Sequence, residues 1–264
     1  MKSINRSIAG RLSRNRGYSG EDKEIKNLQN NTSRTINICK SFLSEQDIKN
    51  IRKCNIKNIS AFKTSNIKNN NEFKNICTNY NIEYCDPPHD KTPCDIILFF
   101  TYMEKPYIVK YDIKNSKSTS TQLCSKELPI LLDKFDIKDS DNIKKYIIYH
   151  NKKRTWIELK EKEEIKNNII KFFNIIKNKW ILDRWCPELY HNEYIMKNNI
   201  MINIKKFINK ELTFSLVKTN IICMLDGIKF ISIKPHGSRH NNRIQLHIYK
   251  DIFNHKDAID INTE

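Results

Sequence analysis

Three charged residues, Asp95, Asp112 and Lys114, lie within two apolar runs of the sequence, residues 94–102 and 107–115. Buried charges are costly unless they pair with one another or hold a cation, so their presence in apolar runs needs an explanation. Two carboxylates offer hard oxygen ligands suited to Mg²⁺, and a lysine beside them could orient a water molecule for in-line attack on a phosphodiester. The alternative is an ordinary ion pair between an aspartate and a lysine at the end of a strand.

The two runs predict adjacent strands of a hairpin, because only Met103–Pro106 separates them. Side chains alternate along a strand, so Asp112 and Lys114 would share one face. If the turn closes without a bulge, Asp95 lies opposite Lys114 and diagonal to Asp112 on that same face. The hairpin would therefore bring all three charged groups together.

The sequence around these residues resembles a known family. Pro93-Cys94-Asp95, followed after the predicted hairpin by Asp112-Ile113-Lys114, is similar to the signature of the PD-(D/E)xK nuclease superfamily, with Cys94 inserted between the proline and the aspartate. From about Gly17 to the C-terminus, the order of short motifs also resembles the MspI-like type II restriction endonucleases, which cut at four-base sites. These motifs are Asp112–Ser118, Arg184-Trp185-Cys186, Gly237-Ser238-Arg239 and Gln245-Leu246-His247-Ile248.

The resemblance implies a fold of the α/β (α+β) class, in which a central mixed β-sheet is flanked by helices as in restriction endonucleases. It implies that Asp95 and Asp112 are ligands of Mg²⁺, with the main-chain carbonyl of Ile113 as a further ligand. Lys114 would then be the residue that positions the attacking water. The resemblance thus assigns separate roles to the groups that the hairpin brings together.

A carboxylate near the start of the first helix is a further catalytic candidate. The sequence predicts that this helix begins near Gly20. In the family that the sequence resembles, a glutamate on the first helix often approaches the same metal. Glu21 fits that place, although Asp22 and Glu24 compete with it. The alternative for Glu21 is a first-turn carboxylate that stabilises the helix dipole.

Two polar segments are candidates for contact with DNA. The first follows Lys114 and is rich in hydroxyl and amide side chains, which can bond phosphate oxygens and base edges; its alternative is a polar loop before a helix predicted from Leu123. The second is a short basic loop between late strands, whose arginines could contact guanine or phosphate; its alternative is a solvated hairpin tip. The candidates are Ser116, Lys117, Ser118, Thr119, Gln122 and Lys126 in the first segment and Arg239, His240 and Arg243 in the second.

The composition favours a polyanionic partner. The 264 residues include 47 Lys+Arg against 30 Asp+Glu, a formal charge of +17 that would attract nucleic acid, although many ordinary lysine-rich proteins are also basic. The eight cysteines are scattered singly and indicate reduced thiols. No apolar stretch approaches the roughly 20 residues of a membrane span, and the basic N-terminus has no signal-peptide core. We therefore expect a soluble cytoplasmic protein.

The length predicts one endonuclease domain over residues 1–264. Its expected parts are a helical and loop segment (1–90), the catalytic hairpin with a following helix and strand (91–150), and a long helix with C-terminal strands that contact DNA (151–264). Beyond the hairpin, the patterns predict helices at Leu123–Phe135 and Glu158–Trp185, strands at Lys144–His150, Thr213–Leu225, Lys229–Lys234 and Arg243–Tyr249, and a turn at Asp226-Gly227. Trp156, Trp180 and Trp185 are predicted core residues.

Together, the residues and the resemblance predict a type II restriction endonuclease that makes Mg²⁺-dependent double-strand cuts in DNA at a short specific sequence. Its expected partners are double-stranded DNA and, as a functional partner, a cognate DNA methyltransferase that protects host sites; no membrane is involved. The enzyme would act as a monomer or a homodimer. The alternatives are a repair or junction-resolving nuclease on the same fold, and a non-catalytic basic nucleic-acid-binding protein whose acids make structural ion pairs.

Overall fold

The computed structural model describes residues 19–30, 32–43, 56–87, 92–114, 118–138, 141, 143–146, 159–217, 220–235 and 243–262. These residues form two compact units. The first unit contains the described residues of 19–114, 183–204 and 259–262, and the second contains those of 118–182 and 205–258. That the chain acts as one endonuclease domain stays a prediction.

The helices and strands are numbered in chain order. The helices are α1 (19–30), α2 (Thr32–Ser41), α3 (Asn71–Asn79), α4 (Leu128–Lys134), α5 (Leu159–Lys177), which continues as a π-helix over Asn178–Asp183, and α6 (Ile204–Ile208). The strands are β1 (Ile56–Lys63), β2 (Ile96–Tyr102), β3 (Lys105–Ile113), β4 (Ser120–Glu127), β5 (Tyr194–Lys197), β6 (Ile200–Asn203), β7 (Thr213–Val217), β8 (Asn220–Leu225), β9 (Ile228–Pro235), β10 (Arg243–Tyr249) and β11 (Ile259–Asp260). Short 3₁₀ helices cover Thr64–Asn69, Glu188–Tyr190 and Lys250–Asn254.

The first unit is built on a six-stranded mixed sheet in the order β1-β2-β3-β5-β6-β11. The pairs are antiparallel except for β3 and β5, which run parallel. Every residue of β2 is buried, so this strand is covered on both faces. A strand buried in this way is typical of a sheet between two layers of helix.

Alternate residues of β2 contribute to two separate hydrophobic clusters. Leu98 and its neighbours on one face pack with Ile38 of α2, and Phe99 on the other face packs with Phe73 of α3. Full burial of such a side chain stabilises the fold by roughly 1.5–3 kcal/mol each. The predicted fold class, a mixed sheet flanked by helices in an α/β arrangement, is confirmed.

The β2–β3 hairpin is confirmed, but its predicted turn is wrong. The turn consists of Met103 and Glu104 alone, both at positive φ (47° and 65°), and Lys105 is already in β3 opposite Tyr102. A tight two-residue turn with both residues at positive φ matches the twist of the paired strands. Pro106 is tolerated in β3 because the paired part of β5 contacts only Tyr111 to Ile113, which leaves that end of β3 without a second described neighbour strand.

The shorter turn shifts the register by two residues from the predicted one. Ile96 pairs with Tyr111, so one further step along the hairpin brings Asp95 beside Asp112 rather than opposite Lys114. A shift of two keeps every side chain on its predicted face. The three charged residues therefore still share one face of the hairpin, in a different arrangement.

The N-terminal part was predicted as helix and loop, and this is wrong for Ile56–Lys63, which forms β1. This strand is at the edge of the sheet, and its pairing with β2 is irregular between Lys57 and Ser60, next to Asn58 at φ 51°. The irregularity interrupts the alternation by which strands are detected in a sequence. The helix predicted to begin near Gly20 is confirmed as α1.

The second unit contains a five-stranded antiparallel sheet in the order β4-β10-β9-β8-β7. The predicted turn at Asp226-Gly227 is confirmed, with both residues at positive φ. The predicted long helix is confirmed from Leu159, with Glu158 outside the described residues. Its buried residues are Ile165, Ile169, Phe172, Phe173 and Ile176. Trp180 is buried and Trp185 half-buried, whereas Trp156 lies outside the described residues.

Three predictions in the second unit are wrong. Leu123–Glu127 belongs to β4, because pairing with β10 holds it extended, and α4 starts only at Leu128 with Pro129 in its first turn. Residues 143–146 are helical rather than a strand, while 147–150 lie outside the described residues. The strand predicted over Thr213–Leu225 is a hairpin of two strands, β7 and β8.

Two simpler observations complete the fold. The cysteines that the structure describes are all free thiols, as predicted. None of the described helices combines the length and apolarity needed to cross a lipid bilayer.

Candidate active site

The candidate site lies where β2 begins and β3 ends, in the first unit. Asp95 directly precedes β2, Asp112 is the penultimate residue of β3, and Lys114 follows that strand. The Asp95 N–H donates to the Tyr111 carbonyl (3.0 Å), and the Ile113 N–H donates to Asp95 Oδ2 (2.9 Å). These bonds extend the hairpin past its last regular pair and hold Asp95 against the end of β3.

Two neighbouring segments of the first unit fix the main chain around the site. The N–H of Thr64, the first residue of the 3₁₀ helix after β1, donates to the Asp95 carbonyl at 3.0 Å. The Lys114 N–H donates to the Met196 carbonyl of β5 at 2.9 Å. Asp95 and Lys114 are therefore anchored through the sheet itself, which is more rigid than a loop.

The Asp112 carboxylate is buried with an incomplete set of partners. Its residue is 2 % exposed, and Lys114 Nζ lies 2.5 Å from Asp112 Oδ2. Apart from this ion pair, Asp112 Oδ2 has no hydrogen-bond partner among the residues that the structure describes. A buried carboxylate oxygen in this state is costly unless a further cation reaches it.

The charge of Asp112 disfavours ionisation of Asp95. The pKa of Asp95 is raised well above its ordinary value, first by burial and second by the negative charge of Asp112. Lys114 and the Ile113 N–H act in the opposite direction and do not offset the rise. The pair therefore resembles other carboxylates that share one site, in which a bound cation removes the repulsion.

Glu21 lies within electrostatic range of these groups. Burial raises the pKa of Glu21, Lys63 lowers it, and the charge of Asp112 contributes a further rise. Lys63 Nζ is 3.2 Å from Glu21 Oε2 and 3.0 Å from Asp22 Oδ1. Glu21 is thus a half-buried first-turn carboxylate that faces the site, with a lysine between it and solvent-exposed Asp22.

The other competitor for this place, Glu24, is fully engaged elsewhere. Arg34 donates to both of its carboxylate oxygens (2.8 and 3.0 Å), and the Tyr111 hydroxyl donates to Oε1 (3.1 Å). Its negative charge is neutralised by Arg34, on the face of β3 that carries Tyr111. Among the three carboxylates of the first helix, Glu21 is therefore the one best placed to join the aspartates, since the charge of Asp112 acts on it.

The side chains alone do not form a complete metal cage. In the described part of the chain, no group of three or more His, Cys, Asp or Glu side chains is arranged to hold a metal ion. Mg²⁺ is often bound by only one or two carboxylates, because it retains several waters and also takes oxygens from substrate phosphates. Asp95 and Asp112, with the main-chain carbonyl of Ile113, fit that mode of binding.

Lys63 and Thr64 are site residues that the sequence did not reveal. They hold Glu21 and the Asp95 main chain respectively. Lys63 ends β1 and Thr64 begins the 3₁₀ helix after it. Because β1 was not predicted, no residue pattern pointed to either residue.

The DNA-binding candidates that the structure describes all belong to the second unit. Ser118 and Thr119 are exposed just before β4, and Gln122 and Lys126 are on that strand rather than in a loop. Arg243 is on β10 and forms an ion pair with Glu127 at 3.0 Å. Ser116, Lys117, Arg239 and His240 lie outside the described residues.

One polar residue beside these candidates was not predicted from the sequence. Gln245, on β10, is 8 % exposed and donates through Nε2 to Gln122 Oε1 at 3.0 Å. Its other amide atom, Oε1, is 3.3 Å from Nε2 of His247. The sequence motif that contains Gln245 was noted for its resemblance, and its polar contacts with β4 follow only from the sheet pairing.

Comparisons with known proteins add one likeness in structure. No family model matches the chain, and no curated protein matches it. A crystal structure of the restriction endonuclease MspI in complex with its cognate DNA is similar over 78 % of this chain and 79 % of that one, with 13 % sequence identity and a TM-score of 0.42. A likeness of this extent carries no argument about activity or partners, and those rest on the geometry of the site.

Proposed function

We propose that this protein is a Mg²⁺-dependent deoxyribonuclease, and more specifically a type II restriction endonuclease that makes double-strand cuts in DNA at a short specific sequence. Its hydrolytic centre would consist of Asp95, Asp112 and Lys114, with Glu21 beside them. The observation that carries the proposal is a pair of adjacent carboxylates, buried Asp112 and half-buried Asp95, that share one cation, Lys114, whose Nζ is 2.5 Å from Asp112 Oδ2.

Asp95, Asp112 and the Ile113 carbonyl would hold the metal. Their oxygens are the hard donors that Mg²⁺ prefers, and the pKa of Asp95 is raised by burial and by the neighbouring charge of Asp112. When bound, Mg²⁺ would supply Lewis-acid stabilisation of the charge that develops on the phosphate. Glu21 would add negative charge on the side of α1, where Lys63 already restrains it.

Lys114 would position the attacking water. Its Nζ is beside Asp112 and 14 % exposed, so it can donate to a water at the mouth of the site. In the hydrolysis, the water oxygen forms a bond to phosphorus while the bond from phosphorus to the leaving sugar oxygen breaks. The attacking water releases its proton to bulk solvent, and the leaving oxygen takes up a proton from bulk solvent. As an ammonium paired with Asp112, Lys114 orients the water rather than removing its proton.

The DNA itself would be held by the basic surface of the chain. Positive groups that neutralise phosphates supply most non-specific affinity, and the formal charge of +17 suits that role. Sequence would be read by side chains at base edges. The proposed contacts are Ser116, Lys117, Ser118, Thr119, Gln122, Lys126, Arg239, His240 and Arg243.

A restriction enzyme also needs a partner enzyme that protects the host DNA. Host DNA would need protection by a cognate methyltransferase, which need not touch the nuclease. Cytoplasmic location and action as a monomer or homodimer belong to the same proposal.

Incubation of the purified protein with plasmid DNA and Mg²⁺, followed by sequencing of the fragment ends, tests the function. We expect discrete ends at one short sequence, no cutting when EDTA replaces Mg²⁺, and no cutting by the Asp112→Asn variant. Cutting at scattered positions would favour a repair-type nuclease. Intact plasmid under all metal conditions would reject the proposal.

A further inference from the structure

A polar cleft of about 260 Å³ lies beside the candidate site in the first unit. It is bordered by α1, the end of β3 and the turn between β5 and β6. Ile113 and Glu24 lie on the face of β3 that carries Tyr111, so the cleft is across the end of β3 from the carboxylate of Asp112. The residues that line it and matter here are Lys23, Glu24, Asn27, Ile113, Asn198 and Asn199.

Most of these side chains offer hydrogen-bond donors. Lys23 is exposed and carries an ammonium group, and Asn27, Asn198 and Asn199 carry amides. Both residues of the β5–β6 turn are at positive φ (50° and 66°), a conformation that Asn adopts more readily than most residues. The turn therefore places two adjacent amides at the edge of the cleft.

The one carboxylate in the lining is already neutralised. Glu24 is 5 % exposed, and its two oxygens accept from Arg34 at 2.8 and 3.0 Å and from the Tyr111 hydroxyl at 3.1 Å. This bidentate pair carries no net charge. The cleft is therefore poorly suited to a metal and well suited to an anion.

Arg34 also orients one of the amides. Its Nη2 donates to Asn199 Oδ1 at 3.3 Å, which fixes the amide oxygen towards the arginine. Since the oxygen and nitrogen of an amide diverge, the Asn199 Nδ2 donor is turned away from Arg34. The buried ion pair thus selects the donor end of Asn199 for a ligand.

We propose that this cleft binds a backbone phosphate of DNA, across the end of β3 from the phosphate that is cut, through Lys23, Asn27, Asn198 and Asn199. The proposal rests on the proposed function and adds a second phosphate position to the same nuclease. Ammonium and amide groups are common phosphate contacts, which position DNA without reading its sequence. Two held phosphates would fix the direction of the strand across Asp95, Asp112 and Lys114.

The salt dependence of DNA binding tests this site. Binding of one duplex is measured in EDTA, so that no cutting occurs, for the wild type, Lys23→Gln and the control Lys105→Gln. Lys105 is also an exposed lysine of the first unit, but it lies at the opposite end of β3. Loss of one phosphate contact should lower the slope of log affinity against log salt by about one for Lys23→Gln only. The ratio of the wild-type affinity to the Lys23→Gln affinity should therefore fall about threefold between roughly 50 and 200 mM salt.

A second variant changes the charge of the cleft. Asn199→Asp keeps an oxygen that can accept from Arg34 and replaces the amide donor with a carboxylate oxygen, so it should weaken binding more than Lys23→Gln. Asn199→Ala, which only removes the donor, should give a smaller loss and serves as the replacement if the aspartate variant does not fold. Circular dichroism confirms the folded state of each protein.

The outcomes separate this proposal from the proposed function. If Lys23→Gln and the Asn199 variants bind like Lys105→Gln, or if the wild type binds no DNA, the phosphate site is overturned. If these variants lose affinity as expected but the wild type never cuts plasmid DNA with Mg²⁺, the phosphate site is supported and the nuclease proposal is rejected.

Discussion

Strand β3 carries buried charged or polar groups on both of its faces, and the two sets differ in how completely they are satisfied. On one face, Tyr111 meets Glu24 and Arg34, and every oxygen of the glutamate has a hydrogen bond from a side chain. On the other face, Asp112 lies beside Asp95, and Asp112 Oδ2 has no hydrogen bond from a described residue.

The difference teaches that burial of charge does not by itself mark a functional site. A buried ion pair that is bidentate and fully hydrogen-bonded can serve packing and orientation alone. Two adjacent carboxylates, of which Asp112 is buried and Asp95 half-buried, share one lysine, so one negative charge is left uncompensated until a further cation binds. We therefore attribute a structural role to the Glu24–Arg34 pair and a catalytic role to the Asp95–Asp112 pair.

The largest expected effect is on cleavage. Asp112→Asn and Asp95→Asn each remove a proposed metal ligand, so the rate of DNA cleavage should fall by about 10³-fold or more. Binding of the same DNA should be retained, because basic groups supply the affinity. Single-turnover cleavage and equilibrium binding measure the two effects. Normal cleavage by either variant would remove that residue from the site.

The next largest effect is on the stability that the Glu24–Arg34 ion pair provides. Arg34→Met leaves Glu24 buried without its cation and should lower the free energy of unfolding by about 3–5 kcal/mol. The double variant Arg34→Met/Glu24→Leu removes both charges and should recover most of the loss. Urea denaturation of both proteins measures this. A small loss in the single variant would show that the pair is not buried as described.

A smaller effect is expected at Glu21. Glu21→Gln keeps the size of the side chain and removes its charge, so the Mg²⁺ concentration for half-maximal cleavage should rise by about tenfold, with the rate at saturating Mg²⁺ nearly unchanged. Asp22→Asn, a neighbouring carboxylate that is mostly exposed, is the matched control. If both variants need the same Mg²⁺ concentration for half-maximal cleavage, Glu21 only stabilises the helix dipole.

The smallest expected effect is a gain in stability rather than a loss. Asp95→Asn relieves the repulsion between two buried acids, so the metal-free protein should gain on the order of 1 kcal/mol, or roughly 2–4 °C in Tm. The pKa of Asp95 is raised in the folded state, so the wild type is penalised when the carboxyl ionises and regains stability as pH falls below that raised pKa. The gain should therefore be largest at neutral pH and shrink in acid. Thermal unfolding at several pH values in EDTA decides it, and a loss of stability at neutral pH would contradict the comparison.

The sequence predicted the site's composition better than its geometry. The alternation of β3 placed Asp112 and Lys114 on one face, and the two apolar runs predicted the hairpin. The predicted pairing of Asp95 with Lys114 was wrong because Lys105 and Pro106 resemble turn residues. The turn is in fact formed by Met103 and Glu104 alone. Neither of those two residues carries the usual sequence signal for positive φ.

Elements whose strand character depends on distant partners were the hardest to predict. The run Ser120–Glu127 is rich in hydroxyl and amide groups, and only its pairing with β10 makes it a strand. The edge strand β1 has an irregular register, so Lys63 and Thr64 had no detectable pattern. By contrast, α5 was predictable, because its apolar spacing is local and regular.

Direct binding of Mn²⁺, a paramagnetic substitute for Mg²⁺, to the DNA-free protein tests the central assignment most directly. Electron paramagnetic resonance distinguishes free from bound Mn²⁺ during a titration. We predict that the wild type and the Lys105→Gln control bind the ion with the same affinity, and that Asp95→Asn and Asp112→Asn each weaken binding by about tenfold or more. Equal binding by the wild type and both asparagine variants, or no binding by the wild type, would contradict the account.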